Sequence, residues 1–131
     1  MFDILLVDDS RIFLASIRGA LSGMHGVNVV GVAHNGKEAL DLAEHLHPHL
    51  ILMDIAMPVL NGLDACKQVV RWKQPPVVIF LSTHDGAEYC RAAIDVGGQC
   101  LVSKSNIVHE LLPMIEGMVK NAGTSTGALH G

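Results

Sequence analysis

The sequence is poor in cysteine and has no long apolar run. Its 3 cysteines in 131 residues are odd in number and form no C-x-x-C pair, which argues against a disulfide framework and against a zinc knuckle. No apolar run approaches the roughly 18 residues of a membrane helix. Met1 leads directly into a predicted strand and not into a basic, apolar signal segment. We therefore expect a soluble, cytoplasmic protein that does not bind membranes.

Charge is also scarce, and its balance is acidic. Only 17% of the residues are charged, and 9 basic against 13 acidic side chains give a net charge of −4. This chain therefore has no electrostatic reason to bind nucleic acid directly. A hydrophobic content of 50% is typical of a domain whose central sheet is covered on both faces.

Short apolar runs alternate with helical patterns along the chain. The predicted strands are residues 4–7, 27–32, 50–54, 77–81 and 100–103, and an amphipathic pattern follows each of them. Strict alternation with short connections is typical of βαβ units with right-handed crossovers. The predicted fold class is α/β, with a parallel, doubly wound sheet.

Local signals refine the helix ends. Asp9 or Ser10 can cap the first helix, and Ser105 or Asn106 the last. Pro113 lies within the last helical pattern, so we expect a kink or a restart there. Residues 1–120 are predicted to form the domain. Residues 121–131 turn to Gly, Ser, Thr and Ala, a composition that favours a flexible tail or the start of an interdomain linker.

Polar side chains stand where four of the five predicted strands end. The carboxyl ends of parallel strands meet at one edge of a sheet, where ligands bind in open α/β folds. We therefore expect these side chains to lie close together. They are Asp8 and Asp9, Asp54, Ser82 and Thr83, and Lys104.

Three neighbouring carboxylates raise one another's pKa values unless a cation lies among them. Hard oxygen ligands suit Mg²⁺, which shares its remaining positions with water and a phosphoryl group. Lys104 can neutralise a phosphoryl oxygen, and Ser82 supplies a hydroxyl donor. These groups favour phosphoryl transfer. With no Ser-His pair or cysteine thiolate site apparent, the natural nucleophile is a carboxylate, which would give an aspartyl phosphate.

Several ordered motifs resemble one known family. They are Val7-Asp8-Asp9-Ser10, Met53-Asp54-Ile55-Ala56-Met57-Pro58 with Asn61-Gly62, Leu81-Ser82-Thr83, and Lys104. Together they resemble the receiver domain of bacterial two-component response regulators over about residues 2 to 120. The resemblance implies a flavodoxin-like (βα)5 fold with sheet order 2-1-3-4-5 and helices on both faces.

The resemblance also implies roles for single residues. Asp54 matches the phosphoacceptor of the family. Asp9 resembles a direct Mg²⁺ ligand and Asp8 a ligand through water. The backbone carbonyl of Ala56 completes the protein's share of the metal site, to which Asp54 also contributes.

Ser82 matches the switch hydroxyl of the family, and Lys104 the lysine that pairs with the phosphoryl group. Thr83 stands where the family commonly has a small residue, and Leu101 where it often has an aromatic ring. Lys104 is followed by Ser105 and not by the usual proline. In this respect the chain resembles the subgroup with LuxR/NarL-type DNA-binding output domains.

The function that this resemblance implies is a signalling switch. A sensor histidine kinase or a phosphotransfer protein would phosphorylate Asp54 with Mg²⁺, and the change in conformation would control an output domain or partner. A homodimer formed on phosphorylation is a further expectation. The domain would not be an enzyme beyond its self-catalysed phosphoryl acceptance and slow autodephosphorylation.

Three alternative functions remain open from the residues. A Mg²⁺-dependent phosphohydrolase would use the same aspartyl chemistry, but often has an acidic residue two positions after the nucleophile, where this chain has Ala56. A degenerate receiver serving only as an interaction module is disfavoured by the intact Asp8, Asp9, Asp54 and Lys104. A flavin site would need a phosphate-cradling loop after the first strand, which this sequence does not have.

Overall fold

Five strands form one parallel sheet in the computed structural model, which describes residues 1–83 and 87–130. The strands are β1 (Phe2–Val7), β2 (Val27–Ala33), β3 (Leu50–Asp54), β4 (Val77–Ser82) and β5 (Cys100–Ser103). Their order is β2-β1-β3-β4-β5, and each neighbouring pair is parallel. The predicted α/β class and sheet order are confirmed.

Five α-helices connect and follow these strands within the described residues. They are α1 (Arg11–Ser22), α2 (Gly36–Leu46), α3 (Gly62–Val69), α4 (Ala87–Asp95) and α5 (Leu112–His130). The sequence pattern predicts that the third helix extends to about Trp72, but the helix ends at Val69. The sequence pattern predicts that the fourth helix begins at Asp85, which lies outside the described residues. No helix in the described part of the chain combines the length and apolarity needed to cross a membrane.

The sheet separates two apolar layers. Alternate residues of β1 point to opposite faces, because side chains alternate along a strand. Ile4 and Leu6 pack with buried residues of α1 and α5, while Leu5 and Val7 pack with buried residues of α2 and α3. Each inner strand is therefore buried on both faces, which explains its continuous apolar sequence.

The first helix begins directly after the paired carboxylates of Asp8 and Asp9. Of the two predicted caps it is Ser10 that acts, since its Oγ accepts a hydrogen bond from the Phe13 N–H at 3.2 Å. The cap satisfies one of the free N–H groups in the first turn. It also fixes the position of Phe13 relative to the end of β1.

The segment after β5 differs from the prediction. A 3₁₀ turn (Lys104–Asn106) and a π-helical turn (Ile107–Leu111) precede α5, and Leu112, with helical φ and ψ, joins the π-helical turn to α5. The hydrogen-bond pattern thus changes next to Pro113, where the sequence predicts a kink or a restart. Of the predicted caps, Asn106 occupies the N-cap position of the π-helical turn, but its side chain makes no capping hydrogen bond. The side-chain cap in this segment is Ser103 Oγ, which accepts the Ser105 N–H at the start of the 3₁₀ turn.

The last helix is longer than the sequence indicated. It runs to His130, past the predicted domain end at residue 120. Residues 121–130 are thus helical where their composition favoured a tail, because extending an existing helix costs far less than starting one. The division at residue 120 and the linker role stay predictions.

The loop between β3 and α3 contains a strained residue. Val59 has φ 69 and its side chain is 79% exposed. The Leu60 N–H donates to the Pro58 carbonyl at 2.8 Å, which closes a γ-turn around Val59. A β-branched side chain in this left-handed region costs roughly 1–2 kcal/mol.

Val59→Gly is therefore expected to raise the free energy of unfolding by about 1 kcal/mol, because relief of the strain exceeds the entropic cost of glycine. Urea denaturation measures the change. Val59→Ala keeps a Cβ but loses the branch, and should give a smaller gain. A loss of stability in the glycine variant would contradict the account.

Candidate functional site

The strand register brings the predicted residues to one edge of the sheet. Val7 pairs with Met53, so Asp8 follows β1 beside Asp54. Asp54 in turn pairs with Leu81 of β4, one residue before Ser82. Because Ser82 pairs with Ser103, Lys104 emerges from β5 at the same edge. This is the edge at which the carboxyl ends of all these strands meet.

Three carboxylates form the centre of the site. Asp8, Asp9 and Asp54 each offer an oxygen, and these oxygens lie within 4.8 Å of one another. Asp8 is buried, Asp54 is half-buried and Asp9 is exposed. Backbone donors orient two of them: the Ser10 N–H donates to Asp8 Oδ1 and the Ile55 N–H to Asp54 Oδ1, both at 2.8 Å. The cluster is thus held by the residues that follow each strand.

Lys104 lies between two of these carboxylates. Its Nζ donates to Asp8 Oδ2 at 2.6 Å and lies 3.6 Å from Asp54 Oδ2. The same ammonium stands 4.3 Å from the centroid of the Phe13 ring. The side chain is only 14% exposed, so the charge is largely shielded from solvent. In this structure the lysine is paired more closely with Asp8 than with Asp54.

The electrostatics of the cluster favour an added cation. Burial raises the pKa of Asp54, Lys104 lowers it, and the charges of Asp8 and Asp9 raise it again. One ammonium among three carboxylates leaves an excess of negative charge. A divalent ion that prefers oxygen ligands would offset this excess, and the donor set fits Mg²⁺. The residues that could hold it are Asp8, Asp9 and Asp54.

Two glycines allow the β3–α3 loop to close against the site. The Gly62 N–H donates to the Ile55 carbonyl at 2.8 Å, and a Cβ on Gly62 would lie 2.1 Å from the Asp54 carbonyl oxygen. The Gly36 N–H donates to the Leu60 carbonyl at 2.8 Å, and a Cβ on Gly36 would lie 2.4 Å from the Leu60 carbonyl oxygen. No other residue type allows backbone to approach backbone this closely.

Three more predicted site residues lie at the ends of these strands. Ser82 is the last residue of β4 and is buried, whereas Thr83, directly after it, is exposed. Ala56 is exposed in the loop two residues after Asp54. Their positions along the chain are compatible with the predicted roles, which remain predictions.

Sequence reasoning missed Phe13 as part of this site. The apolar periodicity of α1 selects Leu14, Ile17 and Leu21 for the core, and these are buried. Phe13 is outside that stripe and only partly buried. The available signal was an aromatic residue in the first turn after an acidic pair, which by itself does not indicate a contact with a lysine from the last strand.

Comparison with known proteins identifies the family. The model of the family described as "Response regulator receiver domain" matches residues 4–116. The chain belongs to this family. As a receiver domain it is part of two-component signalling, and its acidic cluster is of the kind that could bind Mg²⁺.

Curated relatives of this receiver domain carry the name protein-glutamate methylesterase/protein-glutamine glutaminase. The protein from Methanosarcina acetivorans is 35% identical over 108 residues, which cover 82% of this chain and 31% of the relative. The protein from Shewanella denitrificans is 41% identical over 95 residues, which cover 72% and 24%. The chain thus spans only about a quarter to a third of the length of these relatives.

Solved receiver domains of NarL and of CheB have the same fold as this chain. The signal receiver domain of the response regulator NarL from Mycobacterium tuberculosis has a TM-score of 0.84 at 28% identity, with 91% of this chain and 96% of that chain covered. The response regulator domain of Thermotoga maritima CheB has a TM-score of 0.82 at 30% identity, with 92% and 97% covered. The predicted likeness to NarL-type domains is confirmed, and a likeness to CheB stands beside it.

Proposed function

We propose that this receiver domain accepts a phosphoryl group on Asp54 from a sensor histidine kinase or a phosphotransfer protein, in the cytoplasm. The observation that supports the proposal is the group of side chains around the Asp54 carboxylate. Its half-buried carboxylate is grouped with those of Asp8 and Asp9, and its Oδ2 lies 3.6 Å from the ammonium of Lys104. A nucleophile, a metal-binding acidic pair and a cation thus meet at one point.

In the transfer, a carboxylate oxygen of Asp54 attacks the phosphorus of a phosphohistidine. The P–N bond breaks, and its electron pair returns to the imidazole. Lys104 stabilises the negative charge on the transferred group, which it can reach by leaving Asp8 Oδ2. Mg²⁺ bound by the three carboxylates and the Ala56 carbonyl would neutralise further charge on the phosphoryl oxygens.

Ser82 and Thr83 are proposed to respond to phosphorylation of Asp54. Ser82 stands buried at the end of β4, next to the register position that faces Asp54. A hydroxyl that binds a phosphoryl oxygen stabilises only the modified state, which is the differential contact that a population shift needs. The resulting change in conformation would control the output. A homodimer formed in the modified state is an extension of this proposal.

The identity of the output is a separate proposal. The names of the sequence relatives favour control of a methylesterase/glutaminase, while the fold is equally similar to that of NarL-type regulators. An independent phosphohydrolase activity is disfavoured, because Ala56 offers no acid next to Asp54.

The test is mass spectrometry of the protein after treatment with acetyl phosphate and Mg²⁺. The wild type is expected to gain one phosphoryl group, located at Asp54 by peptide mapping. Asp54→Asn should gain none, and EDTA should abolish the gain, because the anionic donor is otherwise repelled by the carboxylate cluster.

Asp41→Asn is the matched control, since Asp41 is an exposed aspartate on α2 outside the carboxylate cluster. It should be modified like the wild type. Incorporation that persists in Asp54→Asn, or that is indifferent to EDTA, would reject the assignment.

A further inference from the structure

Phe13 completes a closed series of contacts that begins and ends at the ammonium of Lys104. Lys104 Nζ donates to Asp8 Oδ2 at 2.6 Å, and the Ser10 N–H donates to Asp8 Oδ1 at 2.8 Å. Ser10 Oγ accepts the Phe13 N–H at 3.2 Å, and the Phe13 ring returns to Lys104 Nζ at 4.3 Å. The helix cap therefore fixes the backbone of Phe13 relative to the carboxylate that binds the lysine.

The ring has support from the core as well. Phe13 is partly buried and packs against the apolar layer formed with α1 and α5. It is therefore less free to move than the long side chain of Lys104, which arises from the opposite end of the chain. The face of an aromatic ring attracts an ammonium without accepting its N–H groups in conventional hydrogen bonds. Those donors stay available for carboxylate or phosphoryl oxygens.

We propose that Phe13 is a positioning residue for Lys104. When Lys104 exchanges Asp8 for a phosphoryl group on Asp54, the Phe13 ring keeps the ammonium beside Asp54 Oδ2, from which it is 3.6 Å away. The proposal rests on the proposed function of Asp54. It assigns to α1 a part in phosphoryl transfer that works through the lysine and not through contact with the reacting atoms.

The first experiment is NMR of the unmodified protein and needs no phosphoryl transfer. A ring beneath the ammonium shifts the protons of the adjacent Lys104 methylene upfield. Phe13→Leu should remove that shift, Phe13→Tyr should keep it, and Phe2→Leu should leave it unchanged. Phe2 is the matched control because it is a buried phenylalanine that stacks on His49 at the other end of the sheet. Equal shifts in wild type and Phe13→Leu would overturn the proposal.

The second experiment is the rate of modification of Asp54 at saturating Mg²⁺ and acetyl phosphate. Phe13→Leu should slow it about fivefold, within the range of a shielded cation–π contact. Phe13→Tyr should restore the rate to within about twofold, and Phe2→Leu should match the wild type.

A double mutant separates positioning from simple packing. In a Lys104→Ala background, Phe13→Leu should have no further effect on the rate, because the ring acts only through the lysine. A wild-type rate in Phe13→Leu, or the same slowing with and without Lys104, would overturn the proposal. If the wild type accepts no phosphoryl group, the proposed function fails, and the NMR comparison then decides whether the ring positions Lys104.

Discussion

Gly62→Ala is expected to lower the free energy of unfolding by about 3 kcal/mol or more. The new Cβ would lie 2.1 Å from the Asp54 carbonyl oxygen and 3.2 Å from the Ile55 Cα. Both are backbone atoms at the end of β3, so they cannot move aside as a flexible side chain would. Either the start of α3 must shift, losing the bond from the Gly62 N–H to the Ile55 carbonyl, or β3 must bend. Urea denaturation measures the loss.

Gly19→Ala is the matched control for this prediction. Gly19 lies within α1, and a Cβ there would meet no atom within 4 Å. Because alanine favours a helix over glycine, this variant should gain about 0.5–1 kcal/mol. Similar stability changes in the two variants would show that the close approach at Gly62 does not matter. Any folded Gly62→Ala protein should also accept phosphoryl groups more slowly, since Asp54 would be displaced.

Asp9→Ala is expected to weaken Mg²⁺ binding on the order of 100-fold, and Asp8→Ala only about tenfold. The structure supplies a reason for the difference. Asp9 is exposed and can present an oxygen directly to an ion, whereas both oxygens of Asp8 already bind donors, the Ser10 N–H and Lys104 Nζ. Asp8 would therefore bind the metal through water more readily than directly.

Titration calorimetry with Mg²⁺ compares the two variants. Asp41→Ala is the control, because it removes an exposed carboxylate from α2 and changes the net charge equally. It should bind Mg²⁺ like the wild type. Equal losses in Asp8→Ala and Asp9→Ala would reject this division of roles. A loss in the control would indicate that net charge, and not ligation, governs the affinity.

Much of the fold was predictable because its signals are local. A strand buried on both faces needs a continuous apolar run, and four of the five predicted strands end at polar residues. Alternation with helices then requires parallel strands, whose carboxyl ends share one edge. That pattern brings Asp8 and Asp54 to one edge, and the sheet order implied by the family resemblance places their strands side by side. The cap at Ser10 was one of two candidates for the first helix, because a capping bond joins residues only three apart.

The end of the chain was less readable from its composition. The stretch after Asn121 contains glycine, serine and threonine, which favour irregular structure in isolation. It continues α5 to His130 because the helix was already established. Local propensity is a weak guide where a preceding helix supplies the nucleus.

The sequence by itself determined which chemical groups stand at the carboxyl ends of the strands: three carboxylates, a hydroxyl pair and one lysine. The tertiary structure alone decided how they pair. Lys104 is 96 residues from Asp8 in the chain, so nothing local indicates that its ammonium binds Asp8 at 2.6 Å and Asp54 at a longer distance. The ring of Phe13 beneath it, and the closeness of Gly62 to the Asp54 backbone, depend on the register of separate strands and on the angle at which helices leave them. Such contacts form only when the strands and helices assemble. A short-range pattern determines the face on which a side chain lies, but not which side chain of another element lies next to it.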